Sequence, residues 1–290
     1  MNKEELITEI TIVIVLYREE FELISKTLSS LKSFKIIIID NDNNSNLKTK
    51  IETNFSIEHY ILNKKNIGFS AGYNQGIKLS KTSYTLIINP DYFILEKDIL
   101  LLKKKLIENK NCFIVSATAY DENDNLTYTG GLLPENGEKN ETLNITGDTC
   151  VESILGACMF FETKNILDND LLFDENFFLY YSDDDLCKRI KKKNKSIVQV
   201  YDAKSKHQHG TIKIKNRYIG KFVREFNLNH DRYYYYYKDN KHTVLLNDFK
   251  NKIPSLIIKF IVKILSFKLL DCVSIFSRLY AYYKFKNKFK

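Results

Sequence analysis

Over the first 120 residues, apolar side chains arrive in short unbroken runs separated by polar turns. Residues 10–17 (ITIVIVLY) and 35–40 (KIIIID) are continuous blocks, the pattern of strands buried on both faces. Between them Phe21, Ile24, Leu28 and Leu31 recur at helical spacing across 19–32. Residues 57–62 predict a third strand, followed by a glycine-punctuated turn running into a helix that carries Ile77 and Leu79. Residues 84–89 predict a fourth strand, 97–109 a charged helix and 112–119 a further strand. Strand and helix thus alternate four times, which predicts a parallel sheet with right-handed crossovers.

Such a sheet gathers the carboxyl ends of its strands along one edge, where ligands bind in open α/β folds. Tyr17, Asp40, the Asn66–Gly68 turn and Asp91 all fall at strand ends. The stretch 84–91 (YTLIINPD) carries no charge until its last residue, and Pro90 ends the ladder. Asp91 then reads in two ways. Asn, Pro and Asp are ordinary turn formers, and a carboxylate at that edge is also placed to hold a divalent cation against a diphosphate.

Beyond residue 120 the pattern is mixed. Residues 121–137 are polar and read as a hairpin or a loop over the site. In 151–162 (VESILGACMFFE), Gly156, Ala157 and Cys158 permit a close approach to the backbone, or tight packing of a core strand. Ser182 can cap a helix with Asp183, Asp184 and Asp185 in its first turn and Lys191–Lys193 in its last, an order suited to the helix dipole. The same place suits a catalytic base, with Phe177, Phe178, Tyr180 and Tyr181 forming a wall for a sugar ring. His207 and His209 follow in a loop and offer one imidazole to a metal, or simply to solvent.

The tyrosine run in 217–241 reads as a helix packed on the main domain. From residue 253 apolar residues alternate with lysines and end in a basic aromatic tail. That pattern fits an interfacial amphipathic helix on anionic lipid, and equally a helical hairpin packed on the body or on a second subunit. The chain of 290 residues is 44% apolar with net charge +8, enough for one large domain plus an extension. It holds no 18-residue uncharged apolar run. Its first nine residues are polar and acidic, unlike a signal peptide. Five scattered cysteines without a CxxC pair suit a reduced, cytoplasmic setting, with the basic tail allowing a peripheral place on the inner face of the membrane. No nucleic-acid motif accompanies the basic charge.

Together the segments IVIVLY, IIIIDNDNNSN, NIGFSAGYNQGI, LIINPD, FFLYYSDDDLCKR and HQHG resemble family 2 inverting glycosyltransferases of the GT-A fold, in particular a bacterial rhamnosyltransferase-like branch. The resemblance covers roughly residues 10–212. It implies an α/β, Rossmann-like, mostly parallel nucleotide-binding sheet flanked by helices over residues 1–216, with a C-terminal helical, basic-amphipathic extension over 217–290. It implies that Asp40 reads the nucleotide base, that Tyr17, Asn66, Gly68, Asn89 and Arg189 line the nucleotide-sugar site, and that Asp91 holds Mg²⁺ or Mn²⁺ with His207 as a second ligand. Asp183 would be the catalytic base, unless Asp184 or Asp185 takes that place. The donor would be dTDP-rhamnose or a UDP-sugar, and the acceptor a hydroxyl on a glycan, a lipid-linked saccharide or a protein in bacterial surface assembly. The C-terminal helices would serve an anionic membrane surface or a homodimer.

The sequence departs from the family at two positions. Asn89 stands where many relatives have Asp, and Ser182 where most have Glu. Ser182 keeps open a catalytically degenerate nucleotide-sugar binder or scaffold. A nucleotidyltransferase would want a Gly-rich basic signature near the N-terminus, which this sequence lacks.

Overall fold

The buried isoleucine runs become the centre of one sheet because each strand has an apolar layer on both sides. In the computed structural model, which describes residues 3–127, 130–136, 145–208 and 216–289, α1 (Lys3–Thr8) leads into β1 (Ile10–Leu16), α2 (Phe21–Ser29), β2 (Lys35–Asp40), α3 (Ser45–Asn54), β3 (His59–Leu62), α4 (Gly68–Leu79) and β4 (Tyr84–Ile88). Then come β5 (Tyr92–Ile94), α5 (Glu96–Glu108), β6 (Cys112–Tyr120), the two-residue strands β7 (Gly130–Gly131), β8 (Thr149–Cys150) and β9 (Ser153–Ile154), and β10 (Cys158–Glu162). The chain continues through α6 (Thr163–Asp168), α7 (Ser182–Lys192), β11 (Ser196–His207), α8 (Arg217–Tyr237), α9 (His242–Leu265) and α10 (Leu269–Lys288).

Among the described residues the main sheet runs β3-β2-β1-β4-β10-β6-β11-β5, with β8 added beside β11. The period-2 geometry of a strand splits each run between two cores. Ile12, Ile14, Ile36, Ile38, Leu86 and Ile88 face a cluster with Ile24, Leu28 and Leu31 of the α2 region. Val13, Ile37, Ile39 and Ile87 face a second cluster with Tyr73 and Ile77 of α4 and Leu186 and Ile190 of α7.

The four strands β1 to β4 are parallel, as the alternation predicts. The sheet then departs from that pattern: β10 runs antiparallel to both β4 and β6. The strand β11, which the sequence pattern does not predict and whose last residue His207 the sequence places in a loop, is twelve residues long and parallel to β6, with β5 antiparallel on its far side. The lysines Lys204 and Lys206 conceal it, because they alternate with buried Ala203, Ser205 and His207. Residues 128–129, 137–144 and 209–215 lie outside the described residues, among them part of the segment 121–137 read as a hairpin or a loop over the site, and His209.

Two units result. One comprises residues 1–174 with 182–213, and the other residues 175–181 with 214–290. In the second, the tyrosine run serves as core: Tyr233, Tyr234 and Tyr235 of α8 pack with Phe177 and Phe285. Buried Asp231 accepts hydrogen bonds from the Leu179 and Tyr180 backbone N–H groups at 3.0 Å each, which ties 175–181 to this helical unit. Phe177 is therefore a core residue, with its ring 4.8 Å from Tyr234.

Helix α4 can approach the sheet because it presents glycine to it. A Cβ added at Gly76 would lie 2.2 Å from Val13 Cγ1, and one at Gly72 would lie 3.0 Å from Val15 Cγ1. Gly76→Ala is expected to destabilise the chain by about 1–3 kcal/mol in urea unfolding, despite the better helix propensity of Ala. Adding Val13→Ala should recover part of that loss. A Gly76→Ala variant as stable as the parent would show that α4 does not rest on this contact.

Candidate active site at the carboxyl edge of the sheet

The parallel strands β1, β2, β3, β4, β6 and β11 all end on one edge of the sheet, and the residues singled out from the sequence lie along it. Tyr17 follows β1, half-buried, with the Arg18 guanidinium 5.1 Å from its ring centre. Asp40 is the last residue of β2 and is buried. Its carboxylate accepts from the Asp42 backbone N–H at 2.7 Å and from the Tyr60 hydroxyl at 3.0 Å. Burial pushes the Asp40 carboxyl above its ordinary range, against the opposing pull of those hydrogen bonds. Both oxygens are thus engaged within the fold. Exposed Asp42, 3.6 Å from Arg18, is the carboxylate that the β2 turn shows to solvent.

The next strand end joins the first two. Asn41 donates to the Gly68 carbonyl at 3.1 Å, and Asn63 donates to Asn41 at 2.9 Å. Gly68 opens α4 with φ 88°, a left-handed conformation that favours glycine, and its N–H is held by the Asn66 side chain at 2.9 Å. A helix N-terminus with uncommitted first-turn N–H groups suits an anion.

Asp91 sits in the tight connection between β4 and β5, and it is buried. Asn89 is fixed on both sides: its N–H donates to the Ala157 carbonyl at 3.0 Å, and its side-chain oxygen accepts from Tyr73 at 3.2 Å. The last residue of β11, His207, is brought opposite Tyr92 by strand pairing, which places its Nε2 3.4 Å from Asp91 Oδ1. Pairing between two strands more than a hundred residues apart thus builds the carboxylate–imidazole pair. Among the described residues no three His, Cys, Asp or Glu side chains gather as a metal cluster.

A residue absent from the sequence reading joins this place. Glu19, two positions after Tyr17, is buried, and its carboxyl is pushed up to about 7 by burial first, then by the charges of Asp91 and Glu20. The available signal was an acidic residue three positions after the end of the first buried strand.

Asp183, in the first turn of α7, accepts from the Gly156 N–H at 3.0 Å and from the Asp184 N–H at 3.0 Å. Gly156 has no room for a side chain: a Cβ there would meet Phe69 at 2.7 Å and Asp183 Cβ at 3.4 Å. The close approach read from 156–158 is made by these two residues. One residue on, Ala157 receives Asn89. The Gly156–Ala157 step therefore bridges the Asp183 carboxylate to the segment that carries Asp91.

The three aspartates of SDDD have different work. Asp184 is buried and accepts from Ser153 at 2.7 Å, and Asp185 holds Arg189 at 2.8 Å. Arg189 is directed elsewhere, since its other nitrogens donate to the Asp170 and Leu172 carbonyls at 3.2 and 2.6 Å. It clamps the turn after α6 to α7. Ser182 Oγ is buried with no hydrogen-bond partner among the described residues.

The family model for glycosyl transferase family 2 matches residues 11–171. The low-salt glycan biosynthesis hexosyltransferase Agl10 of Haloferax volcanii is 27% identical over 220 residues, covering 69% of this chain and 68% of that protein. Among solved structures, GalNAc-T7 with UDP, GalNAc and Mn²⁺ superposes with a TM-score of 0.55 at 11% identity, over 86% of this chain and 58% of that one. S. aureus TarS gives 0.52 at 16% identity, over 75% of this chain and 39% of that one. At those identities the likeness is one of fold, and this chain spans about three-fifths and two-fifths of the two proteins. The matched segment takes in Tyr17, Asp40, Asn66, Gly68, Asn89 and Asp91, and leaves Asp183, Arg189 and His207 beyond its end. With more than half of its length matched and a sheet of this architecture beneath the match, the chain belongs to glycosyl transferase family 2, enzymes that transfer glycosyl groups on a GT-A fold.

Proposed function

We propose that this chain moves a glycosyl group from a nucleoside-diphosphate sugar to an acceptor hydroxyl in glycan assembly, with inversion at the anomeric carbon. The observation that carries this reading is the convergence on one sheet edge of the Asp91–His207 pair and the Asp183 carboxylate, joined through Gly156–Ala157. A dTDP-rhamnose or UDP-sugar donor, and a glycan, lipid-linked or protein acceptor of the bacterial cell surface, belong to this proposal.

The donor set at Asp91 fits a divalent cation. Asp91 and His207 offer one oxygen and one nitrogen in a buried place, a set that suits Mn²⁺ and also admits Mg²⁺ completed by diphosphate oxygens and water. The repulsion between Asp91 and buried Glu19 is the electrostatic condition that a cation relieves. When bound, such an ion supplies charge neutralisation for the departing diphosphate.

The remaining work falls to the chain's own residues. The Gly68 end of α4 faces phosphate with helix N–H groups. Tyr17 and the β2 turn border the nucleoside, with Asp42 as the exposed carboxylate there and Asp40 holding the turn from below. The acceptor oxygen attacks the anomeric carbon from the face opposite the diphosphate. As that C–O bond forms, the bond to the diphosphate oxygen breaks and the hydroxyl proton passes to Asp183, whose carboxylate is oriented by two backbone N–H donors. Arg189 has a positioning role through α7. A second reading, a nucleotide-sugar binder without turnover, rests on Ser182 and its unpartnered hydroxyl.

Asp183→Asn is expected to lower transfer about 10²–10⁴-fold while leaving donor affinity within a few-fold, read by diphosphate release and calorimetry. Full retained activity removes Asp183 as the base. No turnover of any nucleotide sugar by the parent, with calorimetric binding intact, establishes the binder instead.

Asp91→Ala should weaken both divalent-ion and donor binding. Unchanged metal dependence in titrations takes Asp91 out of the site.

Glu19 makes stability pH-dependent. Its folded value lies above its unfolded one, so the stability it contributes is whole below about pH 4.5 and is lost as pH rises through about 7, some 3 kcal/mol in all. Glu19→Gln should match the parent near pH 4.5 and exceed it by up to about 3 kcal/mol at pH 8 in cation-free urea unfolding. A pH-independent difference overturns the assignment.

A further inference from the structure

The second half of α9 is apolar on the side its own unit does not use. Leu245, Leu246 and Phe249 turn inward to the tyrosine core, yet no residue of α9 is buried. Ile257, Ile258, Ile261, Val262 and Leu265 are all exposed, Ile258 at 63% and Leu265 at 74%. At 3.6 residues per turn they share one arc of roughly 140°. The α9–α10 turn continues this face. Its tip residue Phe267 is 87% exposed and has φ 54°, a conformation in which a bulky side chain is strained and glycine is preferred. A phenylalanine there adds nothing to the packing of the helical unit and costs backbone energy, so its reason lies outside that unit's fold.

Charge says what covers the face. Lys259 and Lys252 lie about 60° and 80° beyond the Val262 edge of the apolar arc, on the polar side of the helix, and exposed Lys268 adjoins the tip. Half-buried Lys263, on the side away from the arc, reaches Asp271 at 2.7 Å. Among the described residues no helix is long and apolar enough to cross a bilayer. An apolar arc bordered by lysines, too charged to span and capped by an exposed aromatic, matches a helix lying in the plane of an anionic lipid surface.

We infer that the α9–α10 hairpin is a docking surface for a bilayer bearing anionic lipid, with Phe267 and Leu265 entering the interface and the lysine flank meeting the headgroups. The affinity combines the buried apolar area with an electrostatic part that salt screens. The inference does not depend on the transfer chemistry, and lipid binding can be measured on an inactive chain.

The full chain is sedimented with phosphatidylcholine vesicles, with and without a phosphatidylglycerol fraction. Binding is expected only with the anionic lipid and should fall as salt rises. Phe267→Gly should lower vesicle affinity about tenfold while keeping or raising the melting temperature, because it removes strain at φ 54°. Leu265→Ser should weaken binding further. The chain has no tryptophan, so Phe267→Trp gives a single reporter, whose fluorescence should shift blue and be quenched by lipid-borne quenchers on binding. Absence of partition onto anionic vesicles overturns the inference, as does binding unaffected by Phe267→Gly. A concentration-dependent dimer in sedimentation velocity that Leu265→Ser dissolves, without vesicle binding, assigns the face to a second copy of the chain instead.

Discussion

The hydrogen bond from the Asn89 N–H to the Ala157 carbonyl sits where the sheet changes direction. On one side of β4 lies parallel β1, and on the other antiparallel β10. An antiparallel strand inserted there begins at the edge where the parallel strands finish. The residues that lead into it, Gly156 and Ala157, therefore lie beside Asn89 and Asp91. Because Gly156 has no side chain, Asp183 and Phe69 close onto it from two other elements. One reversal of strand direction thus brings the base candidate on α7 and the metal candidate after β4 to a common edge.

The rest of the edge depends on how near α4 lies to the sheet. Gly72 and Gly76 let the helix backbone rest on Val15 and Val13, and this contact fixes where the helix begins. The first turn, with Gly68 in its left-handed conformation and tied to Asn66 and Asn41, is then held beside the end of β2. Close packing of a helix and a parallel sheet thereby becomes a statement about where a phosphate can sit. The same economy appears at His207, whose location follows from pairing of β11 with β5.

The helical unit follows another logic. Its core is aromatic, with the Tyr233 ring tilted against Phe285 and edge-on to Phe249, and buried Asp231 accepts two backbone N–H groups. That core is satisfied without the outer face of α9, which stays apolar and exposed. Stability therefore does not explain Ile258, Leu265 or Phe267, and the lysines beside them supply the reason to look to lipid.

The sequence by itself determined the parallel half of the sheet. Runs such as IIIID can be satisfied only where both strand faces are dry, and turn residues then mark the strand ends. It also marked Asp40, Gly68, Asp91 and Asp183 as edge or cap positions, since each follows an apolar run or opens a helix. It did not reveal β11, because Lys204 and Lys206 give the strand a polar face that reads as loop. Nor did it reveal Glu19, whose importance arises from burial beside Asp91. Tertiary structure alone decided that Asp40 is enclosed by Tyr60 and Asp42, that Arg189 is spent on backbone carbonyls, and that Asp91 meets His207. Local periodicity reports which residues leave water, whereas a site is made by pairing between distant strands, and the register of that pairing is settled only when the whole sheet closes.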